Sequence, residues 1–72
     1  MSLATYDYAG ETFIEVNDSD GARMSINPRD IVAFGEEGPE STWIHLRDDD
    51  ADIIVLEEYE QIKHTIMMLN EG

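Results

Sequence analysis

The apolar residues change period once along this chain, and that change constrains the fold more than any other feature. Up to Leu56 they recur in short extended runs; beyond Glu57 they recur at helical spacing. Alternation with period two places side chains on opposite faces of a strand, while spacings of three and four place them on one face of a helix. The chain therefore reads as a set of short strands followed by one helix.

The runs are separated by turn residues. Thr12–Val16 is β-rich, with Thr12, Ile14 and Val16 on one face and Phe13 and Glu15 on the other. Asn17-Asp18-Ser19-Asp20-Gly21 is a dense turn signal, because Asn, Asp and Ser side chains bond nearby backbone. Extension resumes from Ala22 to Asn27 with Met24 and Ile26 on one face, so Thr12–Asn27 reads as a hairpin. Pro28 lacks an amide hydrogen and biases Asn27 away from helix, which interrupts the strand. Asp30–Phe34 is apolar again, with Ile31 and Ala33 on one face and Val32 and Phe34 on the other; Glu36–Ser41 reads as a polar loop. In Thr42–Arg47, Thr42, Ile44 and Leu46 point one way and Trp43, His45 and Arg47 the other. Asp48-Asp49-Asp50 turns the chain into a last strand, Ile53–Leu56. Ahead of all these, Tyr6-Asp7-Tyr8 reads as a short strand or an ordered arm, and Gly10 allows a bend.

Tyr59, Ile62, Ile66 and Leu69 form one helical face, which predicts a helix from about Glu58 to Asn70. Glu57, Glu58 and Glu60 stand where a helix N-terminus favours negative charge. The expected fold class is α+β, mainly β: a curled antiparallel sheet of four to five strands, with a small open barrel as the alternative, covered by the C-terminal helix. One domain is expected over residues 6–70. Met1–Leu3 and Glu71-Gly72 resemble vector-derived ends and are set aside.

With 72 residues and no cysteine, the chain has a small core, no disulfide and no thiolate chemistry. It shows neither an apolar stretch long enough to span a bilayer nor a signal-peptide pattern, which predicts a cytoplasmic protein with no membrane partner. Seventeen Asp and Glu against four Lys and Arg give a formal charge of −13. Direct nucleic-acid binding is not expected, because it depends on cations neutralising phosphates. Scarce Lys and abundant carboxylates are also the composition of cytoplasmic proteins in salt-accumulating organisms.

Few residues suggest chemistry. His45 alternates with Trp43 and Arg47 but has no local partner for acid–base work, and His64 lies off the apolar stripe. Asp48, Asp50 and Asp52 could offer oxygens to a hard cation, yet the loop lacks the EF-hand pattern and reads better as a solvated turn. No phosphate loop, nucleophile elbow or His-Glu metal helix is present. No catalytic residue and no cofactor are assigned, and an enzyme is not expected. Trp43, His45, Arg47 and Phe34 are the candidate interface residues, since an exposed aromatic beside an Arg is a composition favoured at interfaces. The competing reading puts Trp43 over a small second core inside a curled sheet.

The stretch from Phe13 to Ile66 resembles the FlbD-like family of short bacterial flagellar or swarming-motility proteins. The resemblance rests on Gly21 at the first turn, Ile26-Asn27, the cluster Ile31–Phe34, Thr42-Trp43-Ile44-His45-Leu46, and Val55-Leu56-Glu57 leading into Ile62 and Ile66. Asp48–Asp50 stands where that pattern usually has a Gly, and Glu58 where it usually has a Ser. The resemblance implies a non-enzymatic, self-associating interaction module with no catalytic residues. A more distant likeness to Sm-like small barrels rests on strand lengths; Ile26-Asn27-Pro28-Arg29-Asp30 does not reproduce their RNA-contacting signature. The expected partner is a second copy of the chain. The rival expectation is an acidic decoy, whose carboxylates imitate phosphates and occupy a basic protein.

The charge makes a direct prediction. At 0.01 M salt the Debye length is about 30 Å and falls to about 3 Å at 1 M, so self-repulsion is largely screened at the high end. The melting temperature should rise steadily with sodium or potassium chloride across that range. A flat or falling profile would show that the carboxylates do not repel one another enough to matter.

Overall fold

The computed structural model describes residues 3–71; Met1, Ser2 and Gly72, all within the ends set aside above, lie outside the described residues. The elements run β1 (Thr5–Tyr8), β2 (Glu11–Asn17), β3 (Arg23–Ile26), a 3-10 turn (Pro28–Asp30), β4 (Ile31–Gly38), β5 (Ser41–Leu46), β6 (Ile53–Val55) and α1 (Tyr59–Glu71). The strands form two antiparallel sheets, ordered β1-β2-β3 and β4-β5-β6. The expected single sheet of four to five strands is thereby corrected, among the described residues, to six strands in two sheets of three that do not close into a barrel.

Two local causes explain the difference. Tyr6–Asp7–Tyr8 is a true strand, paired with β2 from Thr5 opposite Ile14 to Tyr8 opposite Glu11. Ala9 and Gly10 join β1 to β2 with φ of 54° and 81°, the doubly left-handed backbone that suits a two-residue hairpin. The Tyr6 ring stacks on Phe13 at 5.6 Å and the Thr12 hydroxyl donates to Asp7 at 2.7 Å. At the other boundary, Pro28 opens the 3-10 turn, and the Asn27 side chain accepts from the Arg29 amide at 2.9 Å. The chain changes direction there, and β3 and β4 enter separate sheets.

The buried core takes one or two residues from most elements: Ile14 and Val16 from β2, Ile26 from β3, Ile44 from β5, Val55 from β6 and Ile62 from α1. These residues follow the alternation and the helical stripe of the sequence. β4 does not. A bulge between Ile31 and Ala33 places one extra residue on that strand, so both Ile31 and Phe34 turn towards the core while Val32 is left 57% exposed. Phe34 therefore stands on the opposite side of the sheet from Trp43, and the expected alternation that set Phe34 with Val32 and away from Ile31 is corrected. Leu3, set aside with the N-terminal end, packs against the core, and its amide donates to the Thr65 hydroxyl at 2.8 Å. That hydroxyl in turn donates to the Gln61 carbonyl, which satisfies a polar group buried on the helix's inner face.

The sheets meet at one joint. Asp18 bridges to Val55, and the Leu56 amide donates to the Asn17 carbonyl at 2.8 Å. Glu57 is buried at 8% exposure; its carboxylate accepts from the Asn17 amide at 3.0 and 3.1 Å and from the Asn17 side-chain amide at 2.8 Å. The Glu57 carbonyl accepts from the buried Thr42 hydroxyl at 2.8 Å. At the next residues the Gln61 side chain accepts from the Glu58 amide, the reciprocal half of a capping box, and α1 begins.

On the far side of β4-β5-β6, Trp43 stands opposite Gly35 on β4 and Ile54 on β6. Its indole lies so close over Gly35 that a Cβ there would come within 2.6 Å of the ring. Glycine in a strand interior marks this kind of close approach. Gly35→Ala should push the indole into water. As Trp43 is the chain's single tryptophan, its emission should shift to longer wavelength, with a stability loss of about 1–3 kcal/mol from overpacking. An unchanged spectrum and stability would refute this stacking.

Candidate interaction surface

The longest strand, β4, is also a sheet edge: β5 pairs with one side of it, and among the described residues no strand lies beside the other. A second bulge falls between Glu36 and Gly38, so the regular part of the ladder runs from Ala33 to Glu36. Bulges blunt an edge but do not close it.

Beside this edge runs a half-open groove of about 560 Å³. Its floor is apolar, from Ile31 and Phe34 on β4 and Tyr59, Ile66 and Leu69 on α1. The helical stripe thus divides its labour: Ile62 is wholly buried, while Tyr59, Ile66 and Leu69 are half-buried and line the groove. Phe34 and Tyr59 meet with ring centroids 5.5 Å apart, and the Lys63 ammonium lies 5.9 Å above the Tyr59 ring. At one end of the groove stand Pro28 and Arg29; the nearby Asn27 side-chain amide donates to Glu11 at 2.6 Å.

The residues singled out in the sequence fall in three places. Phe34 faces the groove. Trp43 and His45 lie on the outer face of β4-β5-β6, Trp43 half-buried on Gly35 and His45 with its Nδ1 2.8 Å from the Asp52 carboxylate. Arg47 lies just past the end of β5, where it donates to the Arg29 carbonyl at 2.9 Å and stands 4.0 Å from Asp30. His45 and Asp52 are both substantially exposed, so their contact contributes little to stability. The pair uses Asp52 and separates it from Asp48 and Asp50, and among the described residues no group of three His, Cys, Asp or Glu side chains is placed to hold a metal ion. Asp48 sits in the left-handed region at φ 67° as a turn residue. The other acidic turn is likewise structural: Asp18 accepts from the amides of Asp20 and Ala22, each at 2.9 Å.

The exposed carboxylates do not gather on one face. Glu36, Glu37 and Glu40 stand around the β4–β5 connection, Asp48–Asp52 at the opposite end of β5, Asp20 in the β2–β3 turn, and Glu58 and Glu60 at the start of α1. No described helix is long and apolar enough to cross a membrane.

Sequence reasoning missed Gly35 and Glu57. Gly35 carried a signal, a glycine inside a β run. Glu57 carried none, because an acidic residue before a helix is usually there for the helix N-terminus.

No family model, no curated protein and no solved structure matches the chain.

Proposed function

We propose that the chain is a small non-enzymatic protein-interaction module that associates with itself. The observation that carries this reading is the unpaired edge of β4 beside a groove into which Ile31, Phe34, Tyr59, Ile66 and Leu69 contribute apolar surface. A sheet edge presents unsatisfied N–H and C=O groups, and a neighbouring apolar surface gains from being covered. The size of the core points the same way. In a chain this short a single core supplies about 3–5 kcal/mol, and oligomerisation is a common supplement. The Sm-like resemblance is also to small barrels that work as oligomers.

The acidic-decoy reading needs one contiguous carboxylate face, and the distribution over separate turns favours it less. An even acidic coat with a single Lys fits a salt-rich cytoplasm, and that is the setting we propose. The FlbD-like resemblance offers motility as a biological context, and self-association is compatible with it.

Light scattering at micromolar concentration in about 0.15 M salt, where the Debye length is about 8 Å, should report a dimer or larger assembly. A strict monomer that persists at 1 M salt would overturn the proposal.

A further inference from the structure

We propose that His64, Met67 and Met68 form a binding site for a soft monovalent cation, Cu(I), on the outer face of α1. The site lies within one chain and stands apart from the self-association reading.

The helix buries Ile62 and packs Ile66 and Leu69 against the core. The opposite face of such a helix is ordinarily polar. Here it carries two thioethers, with Met67 55% and Met68 50% exposed. Neither lines the groove beside β4. His64 is exposed and in no ion pair among the described residues, whereas the ring of His45 is bonded to Asp52. The neighbouring cation, Lys63, lies over the Tyr59 ring.

Helical spacing brings the three donors together. Met67 and Met68 follow His64 by three and four residues within one helix, and residues so spaced have Cβ atoms about 5–6 Å apart. Long side chains on a helix lean towards its N-terminus, which carries both thioethers back towards His64. A Met side chain is unbranched and turns about several bonds, so each sulfur adjusts to a shared ion. Exposed Glu60 stands four residues before His64, a neighbouring position on the same face. A carboxylate so placed accepts the other ring N–H of a ligating His and fixes its orientation.

The donor types choose the ion. Thioethers are soft and select Cu(I), whereas carboxylates and water suit hard cations. The chain has no Cys, so Met supplies its only sulfur. A formal charge of −13 gathers cations of every kind near the surface, and the neutral sulfur and nitrogen donors discriminate among them.

Silver(I), supplied as the nitrate in chloride-free buffer, is a redox-inert probe with the same charge and the same preference for sulfur. In NMR spectra of the full chain labelled at its methionine methyls, the Met67 and Met68 methyls and the His64 ring should shift together and saturate at one equivalent. Met24, on β3 and packed against the core, should stay in place. Cu(I) under anaerobic reducing conditions should move the same groups, and Zn(II) at the same concentration should not. Replacing both exposed methionines, Met67→Leu with Met68→Leu, should leave the circular dichroism spectrum unchanged and abolish the His64 response to silver. No response at one equivalent overturns the site. An undiminished His64 response in the double variant also overturns it, because the imidazole then binds alone. An equal response to Zn(II) overturns the choice of a soft ion. None of these results depends on whether the chain is a monomer or a dimer.

Discussion

Glu57 is the residue on which the two sheets depend. Each sheet has three short strands, and three strands need a covered face to be stable alone. The common cover is α1, and α1 follows directly from the segment that Glu57 anchors. Its carboxylate takes both the backbone amide and the side-chain amide of Asn17, at the end of β2. Its carbonyl takes the hydroxyl of Thr42 on β5. One residue thus bonds to both sheets at the point where the chain leaves β6 for the helix. Hydrogen bonds to a charged group are worth about 1.5–3 kcal/mol each, against a total stability of a few kcal/mol for a core of this size.

The parts of this architecture that were legible in the sequence are those where periodicity and burial coincide. Thr42, Ile44 and Leu46 alternate with Trp43, His45 and Arg47, and the first set does face the core. The hairpin of β2 and β3 was legible from the turn at Asn17–Gly21, and the helix from the spacing of Tyr59, Ile62, Ile66 and Leu69. What failed was continuity. A bulge at Val32 shifts the alternation by one, so Phe34 turned out to face the side assigned to Ile31. The helix's inner face includes Thr65, invisible to an apolar pattern because its hydroxyl is satisfied by Leu3 and Gln61. The division into two sheets depends on the 3-10 turn after Asn27 and on the Glu57 contact, which joins residues 40 apart. Neither has a periodic signal.

The candidate surface was legible only in part. Composition pointed to Trp43, but the indole is already engaged with Gly35 of its own chain. The free edge of β4 and the groove beside it arise from how two sheets and a helix fit together, and no local pattern announces them. The charges add a second layer. Of the four cations, Arg29 and Arg47 stand together at the start of β4 and Lys63 lies over a ring that lines the groove. Three of the four cations thus stand near the groove beside β4, while the fourth, Arg23, lies on β3.

Native-state hydrogen exchange at the amides of Asn17 and Leu56 tests the central claim most directly. Both amides serve the joint: one donates to the Glu57 carboxylate and the other to the Asn17 carbonyl. If the two sheets form one cooperative unit, these amides open only with global unfolding and exchange as slowly as the ladder between β2 and β3. If they exchange as fast as the exposed outer edge of β1 while both ladders stay protected, the sheets open independently and Glu57 does not hold them together.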